Sequence, residues 1–372
     1  MRRIGVGAVR LTGDAISNVN SVLASDRLTA GRWTKEFEIR FARLHNRNFA
    51  IFVNSGTDAL RVGLAAMKEA NGWKDGDFVA LPAVTFVATL NVVLQSGLRP
   101  ALVDIETEHF GMNYDLIPKN VVAAIPVNLF GHVNPAMRQL LASGARVLTD
   151  SCESIAVPGC ADGDVSCFST YAAHILSTGV GGVATTNDPH LASLMRSYAN
   201  HGRSGIYAGI DDELGNVEII EARFHFERSG YSARATEMEA AIGCAELDVL
   251  KENLSGRRRN AATLTFGLLD LPILTPTWDN DDSAWMMFPL LTRNREERDR
   301  LVQHLEANGI ETRPLLPLTS QPYVRNLSGA NLDSGFPVAH RVNETGLYVG
   351  CHQHLTELDV DYCVGVFEQF YA

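Results

Sequence analysis

The sequence predicts an α/β protein in which a large domain, built on a mostly parallel sheet, is followed by a smaller α+β domain at the C-terminus. Three observations carry that expectation. From about residue 50, short β-branched or apolar runs alternate with helical patterns, which implies crossover units. After Asp150, two strand-like runs flank a glycine-rich turn. The last third holds an isolated apolar run near Met287 followed by two helical patterns. The division falls near residue 250, giving 1–250 and 251–372, with segment 1–30 free to pack on the smaller part.

In order, Ile51-Phe52-Val53 reads as a strand leading into a helix from Thr57, and Phe78 to Leu81 as a strand before a helix from about Phe86. Ala101-Leu102-Val103 and Val121 to Ile125 are the next strands; a helix near Met137 and the strand Arg146 to Thr149 complete the alternation. Val165 to Ser169 and Gly182 to Thr186 are strands, and Pro189 to Ala199 is a helix. Residues 204–233 read as a long loop or irregular ribbon, and loops of that length are usually functional. A helix from Thr236 to about Leu250 leads into Arg257 to Leu269. The smaller part has a strand near Met287 to Leu291, a helix from Glu296 to Asn308 and a last helix from Glu357 to Phe370. In an open parallel sheet, functional groups collect at the carboxyl ends of the strands.

Composition narrows the function. The formal charge is −11, from 43 acidic against 32 basic residues, so a bare nucleic acid is not the expected partner. Arg257-Arg258-Arg259, the densest basic run, reads as a solvated turn of helix. The most apolar stretch, Phe78 to Leu98, is interrupted by Pro82, Thr85, Thr89, Asn91 and Gln95 and is not a membrane span. The N-terminus lacks a signal-peptide core, and a cytoplasmic protein is expected. The six cysteines form no CxC or CxxC pair, as expected of reduced thiols without a zinc ribbon or iron–sulfur ligand set. Only five of the basic residues are lysines: Lys35, Lys68, Lys74, Lys119 and Lys251.

Three segments carry chemistry. Asn54-Ser55-Gly56-Thr57-Asp58 follows a strand and opens a helix, a position suited to a phosphate and equally to a plain N-cap. Asp150, in Thr149-Asp150-Ser151-Cys152-Glu153, ends an apolar strand; it could pair with a protonated ring nitrogen of a cofactor or serve only as a turn residue. Ser169-Thr170-Tyr171-Ala172-Ala173-His174 then leads into Gly179-Val180-Gly181-Gly182, and His174 alone could be a half-buried loop residue.

Together these segments resemble the DegT/StrS-type sugar aminotransferases, pyridoxal-phosphate enzymes of fold type I, over nearly the whole chain. Leu81 to Thr89, Pro100 to Ile105, Gly230 to Gly243 and Glu311 to Pro314 add to the match. The resemblance implies that Gly56, Thr57 and Ser169 hold the cofactor phosphate, that Phe86 stacks on the pyridine ring, that Asp150 keeps the ring nitrogen protonated and that Glu153 sits near the ring hydroxyl. It implies a homodimer with a shared active site. The Gly230 to Arg234 block would come from the partner chain, with Ser232 where the family has asparagine; Val180 replaces an acidic residue of the glycine turn.

The decisive departure is at residue 174. The family carries its Schiff-base lysine three residues after the Tyr171 equivalent, and here that residue is His174. Imidazole forms no such bond but moves protons near neutral pH, so the cofactor is expected to be held noncovalently. The same replacement marks the 3-dehydratases of nucleotide-linked 4-keto-6-deoxyhexoses, which use pyridoxamine phosphate. One branch carries an iron–sulfur cluster and the other renews pyridoxamine from glutamate; the missing CxC pattern favours the second. Two other readings stand: a decarboxylase or other lyase on an amino-acid-bearing substrate such as a modified nucleoside, and a noncatalytic cofactor-binding homologue. No metal is expected. His352 and His354 lack a third ligand, and Asp279, Asp281 and Asp282 read as a solvated acidic turn. His201, Arg203 and His225 could touch substrate.

Overall fold

Strand pairing in the computed structural model, which describes residues 3–204, 224–315, 317–328 and 335–372, builds a large sheet from β1 (Phe49–Val53), β2 (Phe78–Pro82), β3 (Arg99–Val103), β4 (Val121–Ala124), β5 (Leu148–Asp150), β6 (Val165–Ser169) and β7 (Gly182–Thr186). One part has the order β3-β2-β4 and the other β1-β7-β6-β5. Parallel bridges Ala124 to Val147 and Val127 to Asp150 join β4 to β5, so the spatial order is β3-β2-β4-β5-β6-β7-β1. All neighbours run parallel except β7, which is antiparallel to both β6 and β1. Helices covering both faces explain why β2 reads as a continuous apolar run rather than an alternating one.

The helices are α1 (Gly13–Ala24), α2 (Arg32–Leu44), α3 (Gly56–Asn71), α4 (Val87–Gln95), α5 (Met137–Ala142), α6 (Pro189–Ala199), α7 (Glu237–Gly267), α8 (Arg295–Ala307), α9 (Pro322–Ser328), α10 (Pro337–Thr345) and α11 (Glu357–Tyr371). Local chemistry sets their ends. Asp188 caps the Pro189 start of α6, and Thr236 and Glu239 form a capping box on α7. Gly72 ends α3 in the left-handed region at φ 66°. The C-terminal sheet, β8 (Phe288–Leu291), β9 (Thr312–Pro314) and β10 (Gly346–Val349), is antiparallel with β10 in the middle.

Two differences from the sequence reading lie in α7. The stretches 236–250 and 257–269 form one unbroken helix of 31 residues, and a division near residue 250 falls inside it. Its first half packs on α1 and α2, and its end packs on α11. Gly256 lies inside this helix, where a Cβ would stand 3.2 Å from the Cβ of Gln353. The Arg257 run is also not a solvated turn. Arg257 is 1% exposed and donates to the carbonyls of Trp285 and Met286 at 3.0 and 2.9 Å. Arg258 donates to the Ser283 carbonyl at 3.0 Å. Successive helical residues point in different directions, so a run of like charges need not share one solvated face.

The N-terminal segment lies along the smaller part: the Ile4 amide donates to the Gly309 carbonyl at 2.8 Å, and the Glu311 amide donates to the Ile4 carbonyl at 2.9 Å. Of the long loop, residues 205–223 lie outside the described residues. The remainder is an irregular ribbon bridged at Arg203 to Phe226 and at Asn200 to Ser232. No described helix is long and apolar enough to cross a membrane.

Candidate active site

The carboxyl ends of β2, β5 and β6 and the N-terminus of α3 surround a cavity of about 460 Å³. Its floor is a close backbone approach. A Cβ on Gly56 would stand 2.8 Å from both the Ser169 Cβ and the Cys152 Sγ, and one on Gly182 would stand 2.3 Å from the Ser55 carbonyl oxygen. Glycine at residue 56 therefore lets the start of α3 sit directly against the end of β6. The Ser55 hydroxyl caps the helix by accepting from the Asp58 amide at 3.1 Å. The amides of Gly56 and Thr57, in the first turn, have no helical acceptor and carry the positive end of the helix dipole. The cap and an anion cradle thus coexist in one segment.

Asp150 ends β5 and is 4% exposed. Thr89 donates to its Oδ2 at 2.8 Å and the Cys152 amide to its Oδ1 at 3.1 Å, while Thr85 and Thr89 share a hydrogen bond of 2.9 Å. Burial raises the Asp150 pKa against the lowering effect of those donors. No lysine or arginine pairs with it among the described residues. A buried carboxylate with only neutral donors is costly unless a cationic partner completes it, and a protonated pyridine nitrogen is such a partner. Glu153 accepts from the Phe130 amide at 2.8 Å, and its pKa is pushed up to about 7, chiefly by burial.

His174 lies in the loop between β6 and β7. That loop is drawn tight by a 2.6 Å hydrogen bond between Thr170 and Thr178 and by Gly179 and Gly181 at positive φ. Its backbone amide donates to the Tyr171 carbonyl at 2.8 Å, and its ring meets Tyr171 edge to face with centroids 6.0 Å apart. Nδ1 lies 2.6 Å from the Cys152 carbonyl oxygen, so Nδ1 carries a proton and donates it. Burial pushes the ring down to about 4; Arg257 acts in the same direction, and the Cys152 carbonyl opposes it. The Ser169 backbone opposes the lowering as well; with Nδ1 protonated, the neutral ring carries its lone pair on Nε2, the arrangement of a general base. None of the five lysines lines the cavity.

The sequence-derived residues Gly56, Thr57, Phe86, Asp150, Glu153, Ser169 and His174 all line this cavity, as does Val180. Phe86 is 58% exposed. Ser232 does not line the cavity; it is exposed on the ribbon, 3.5 Å from Arg234. His201 contacts Arg234 at 3.2 Å and His225 contacts Ser204 at 2.9 Å, also away from the cavity. Arg203 lies near the Phe226 ring. His352 is buried, and His354 faces a neighbouring polar cavity. Sequence reasoning missed Cys152, Met286, Met287, Tyr348 and Val6, which also line the site. The methionines and Tyr348 come from the smaller part, and no local pattern announces a contact made across the fold.

Compared with known proteins, residues 10–368 match the DegT/DnrJ/EryC1/StrS aminotransferase family. A GDP-perosamine synthase of Caulobacter vibrioides is 29% identical over 99% of this chain and 98% of its own. A GDP-4-keto-6-deoxy-D-mannose 3-dehydratase of Escherichia coli O55:H7 is 28% identical over 92% of this chain and 94% of its own. The solved structure of E. coli GDP-4-keto-6-deoxy-D-mannose-3-dehydratase with bound hydrated PLP superposes with a TM-score of 0.86 at 25% identity, covering 99% of this chain and 100% of that one. The fold is that of the fold type I sugar aminotransferases and dehydratases.

Proposed function

The chain belongs to the DegT/DnrJ/EryC1/StrS aminotransferase family, and from that premise we propose that it is a pyridoxal- and pyridoxamine-phosphate-dependent enzyme that modifies a nucleotide-linked sugar, removing the 3-hydroxyl of a 4-keto-6-deoxyhexose with His174 as acid and base. The observation that carries this reading is a neutral imidazole at residue 174, with Nδ1 bound to the Cys152 carbonyl, in a cavity that no lysine lines.

The residues present fit the cofactor. Gly56, Thr57 and Ser169 would take its phosphate, because the free amides of a helix start and an adjacent hydroxyl suit an anion. Asp150 would hold the ring nitrogen protonated, and Phe86 would cover the ring face. Glu153 would lie on the hydroxyl side. When bound as the pyridoxamine form, the cofactor supplies an amine that condenses with a ketone and a ring that accepts electrons. Without a lysine, binding is noncovalent, and affinity rests on these polar contacts alone.

His174 supplies the moving proton. With Nδ1–H committed to Cys152, Nε2 takes a proton as base and returns it as acid to a leaving hydroxyl. No lysine amine lines the cavity to intercept the cofactor–sugar adduct by transimination and release an amino sugar, which favours deoxygenation over transamination. We further propose that the active unit is a homodimer and that Ser232, exposed and outside its own chain's cavity, serves the partner's site.

The test is incubation of purified protein with pyridoxamine phosphate and a panel of nucleotide-linked 4-keto-6-deoxyhexoses. A 3-deoxy sugar that disappears with His174→Ala supports the reading. No turnover across the panel overturns it, and tight binding of the aldehyde form with spectral changes on adding amino compounds redirects it to a lyase of amino-acid-bearing substrates.

A further inference from the structure

His174 borders two cavities and is the only residue common to both among the described residues. The second, of about 270 Å³, is open to solvent and lined by the N-terminal segment, the β6–β7 loop, the middle of α7 and the loop before α11. It is polar. Arg10 faces it from the N-terminal segment, Glu246, Glu252 and Arg259 from α7, and His354 from the last loop, with His174 closing the side towards the active site.

Glu246 is 7% exposed and forms no ion pair among the described residues. Burial pushes its carboxyl up to about 7, partly offset by the Ser177 amide. His354 is held below the ordinary histidine range by burial, Arg10 and Arg257. The arginines cannot deprotonate and contribute charge only. Gln353 also lines this space.

The reaction proposed above needs such a space. Replacing a hydroxyl by hydrogen, with release of water, consumes two electrons and two protons. Bound pyridoxamine phosphate would supply the two electrons and, through His174, one proton; the second proton is added at the sugar's C3 from solvent, and water would release the cofactor as its aldehyde together with ammonia. The active-site cavity has a largely apolar lining and few groups to hold water in a fixed place.

We propose that Glu246, through water held in the second cavity, passes protons between solvent and His174. The inference rests on His174 as the acid and base, and it makes Glu246 a positioning residue for protons that acts through His174 without touching substrate. Between turnovers, a proton moves from the Glu246 carboxyl to a cavity water and from that water to Nε2, the ring nitrogen not bound to Cys152; the carboxylate then regains one from solvent beside Arg10 and His354.

Exchange of the His174 ring N–H with solvent, followed by NMR of protein labelled with ¹⁵N-histidine, reads this directly without substrate; His174→Asn assigns the signal. Glu246→Gln, which keeps the shape and removes the buried acid, is expected to slow exchange by roughly tenfold or more. Glu246→Asp is expected to retain fast exchange, and formate is expected to restore it in Glu246→Ala. Unchanged exchange in folded Glu246→Gln, or no rescue by formate, overturns the proposal. Because this measurement needs no turnover, failure of the dehydratase reading appears separately as absence of a deoxygenated product.

Discussion

At the scale of single residues, the site depends on two groups whose ionisation is set by burial. His174 has a folded-state pKa of about 4 against an ordinary 6.5. Above pH 6.5 the ring is neutral in folded and unfolded chain alike, and the stability linked to it is fully present. As pH falls from 6.5 towards 4 the unfolded chain binds a proton first, so that stability is progressively lost. The base itself stays active through the same window. A pH profile of kcat, taken where the protein remains folded, is therefore expected to hold the His174 limb near pH 4, and a limb near 6.5 that vanishes in His174→Asn would contradict this. Asp150 is the complementary case, a buried carboxylate that lacks a cation. Asp150→Asn keeps the shape but cannot stabilise a protonated ring nitrogen; losing a charge-assisted hydrogen bond, about 2 kcal/mol, weakens pyridoxamine phosphate binding by more than tenfold in a fluorescence titration. Undiminished affinity would remove Asp150 from its assigned role.

At the scale of elements, contacts between segments make the cradle and the roof. Gly56→Ala would press a methyl onto the Ser169 Cβ and the Cys152 Sγ, each 2.8 Å away. It is expected to cost about 1–3 kcal/mol in stability and to weaken phosphate-bearing ligands, both visible as a lower Tm with a smaller cofactor-induced rise. Arg257→Met leaves the carbonyls of Trp285 and Met286 without their donor. An expected loss of about 2–4 kcal/mol, together with a looser Met286–Met287 wall, would appear in denaturant unfolding. What was legible in the sequence follows the same division. Strands β6 and β7 and helix α6 were readable to the residue, since apolar runs bounded by Gly, Asp and Pro are local signals. Seven of the eight proposed site residues share one cavity because each sits in a strand-to-helix or strand-to-loop junction. The continuity of α7 was not readable, because the segment between Leu250 and Arg257 is mostly polar and is held in the helix by packing of α7 on α1, α2 and α11. Tyr348 and the methionines reach the site only through the packing of the smaller part, and Arg257 is buried by tertiary contacts that outweigh its local charge pattern.

For the whole molecule, a charge of −11 gives no attractive long-range field for an anionic nucleotide-linked substrate, so such a substrate has to be held by local donors in the cavity between the large sheet and the smaller part. Ser232 and Arg234 lie outside their own chain's cavity, which accords with a site completed by a second subunit. Mixing His174→Ala chains with chains carrying an obstructive Ser232→Trp is then expected to restore part of the activity that each lacks alone, since one hybrid site has both residues intact; no recovery after subunit exchange would argue for independent protomers. The central claim is that histidine in place of the family's lysine turns the chemistry from placing nitrogen on a sugar to removing oxygen from one. Mass spectrometry of the product formed from a nucleotide-linked 4-keto-6-deoxyhexose, with pyridoxamine phosphate and glutamate both present, tests it most directly. A sugar lighter by one oxygen, absent with His174→Ala, is the expected result; a sugar that has instead gained an amino group would contradict the account.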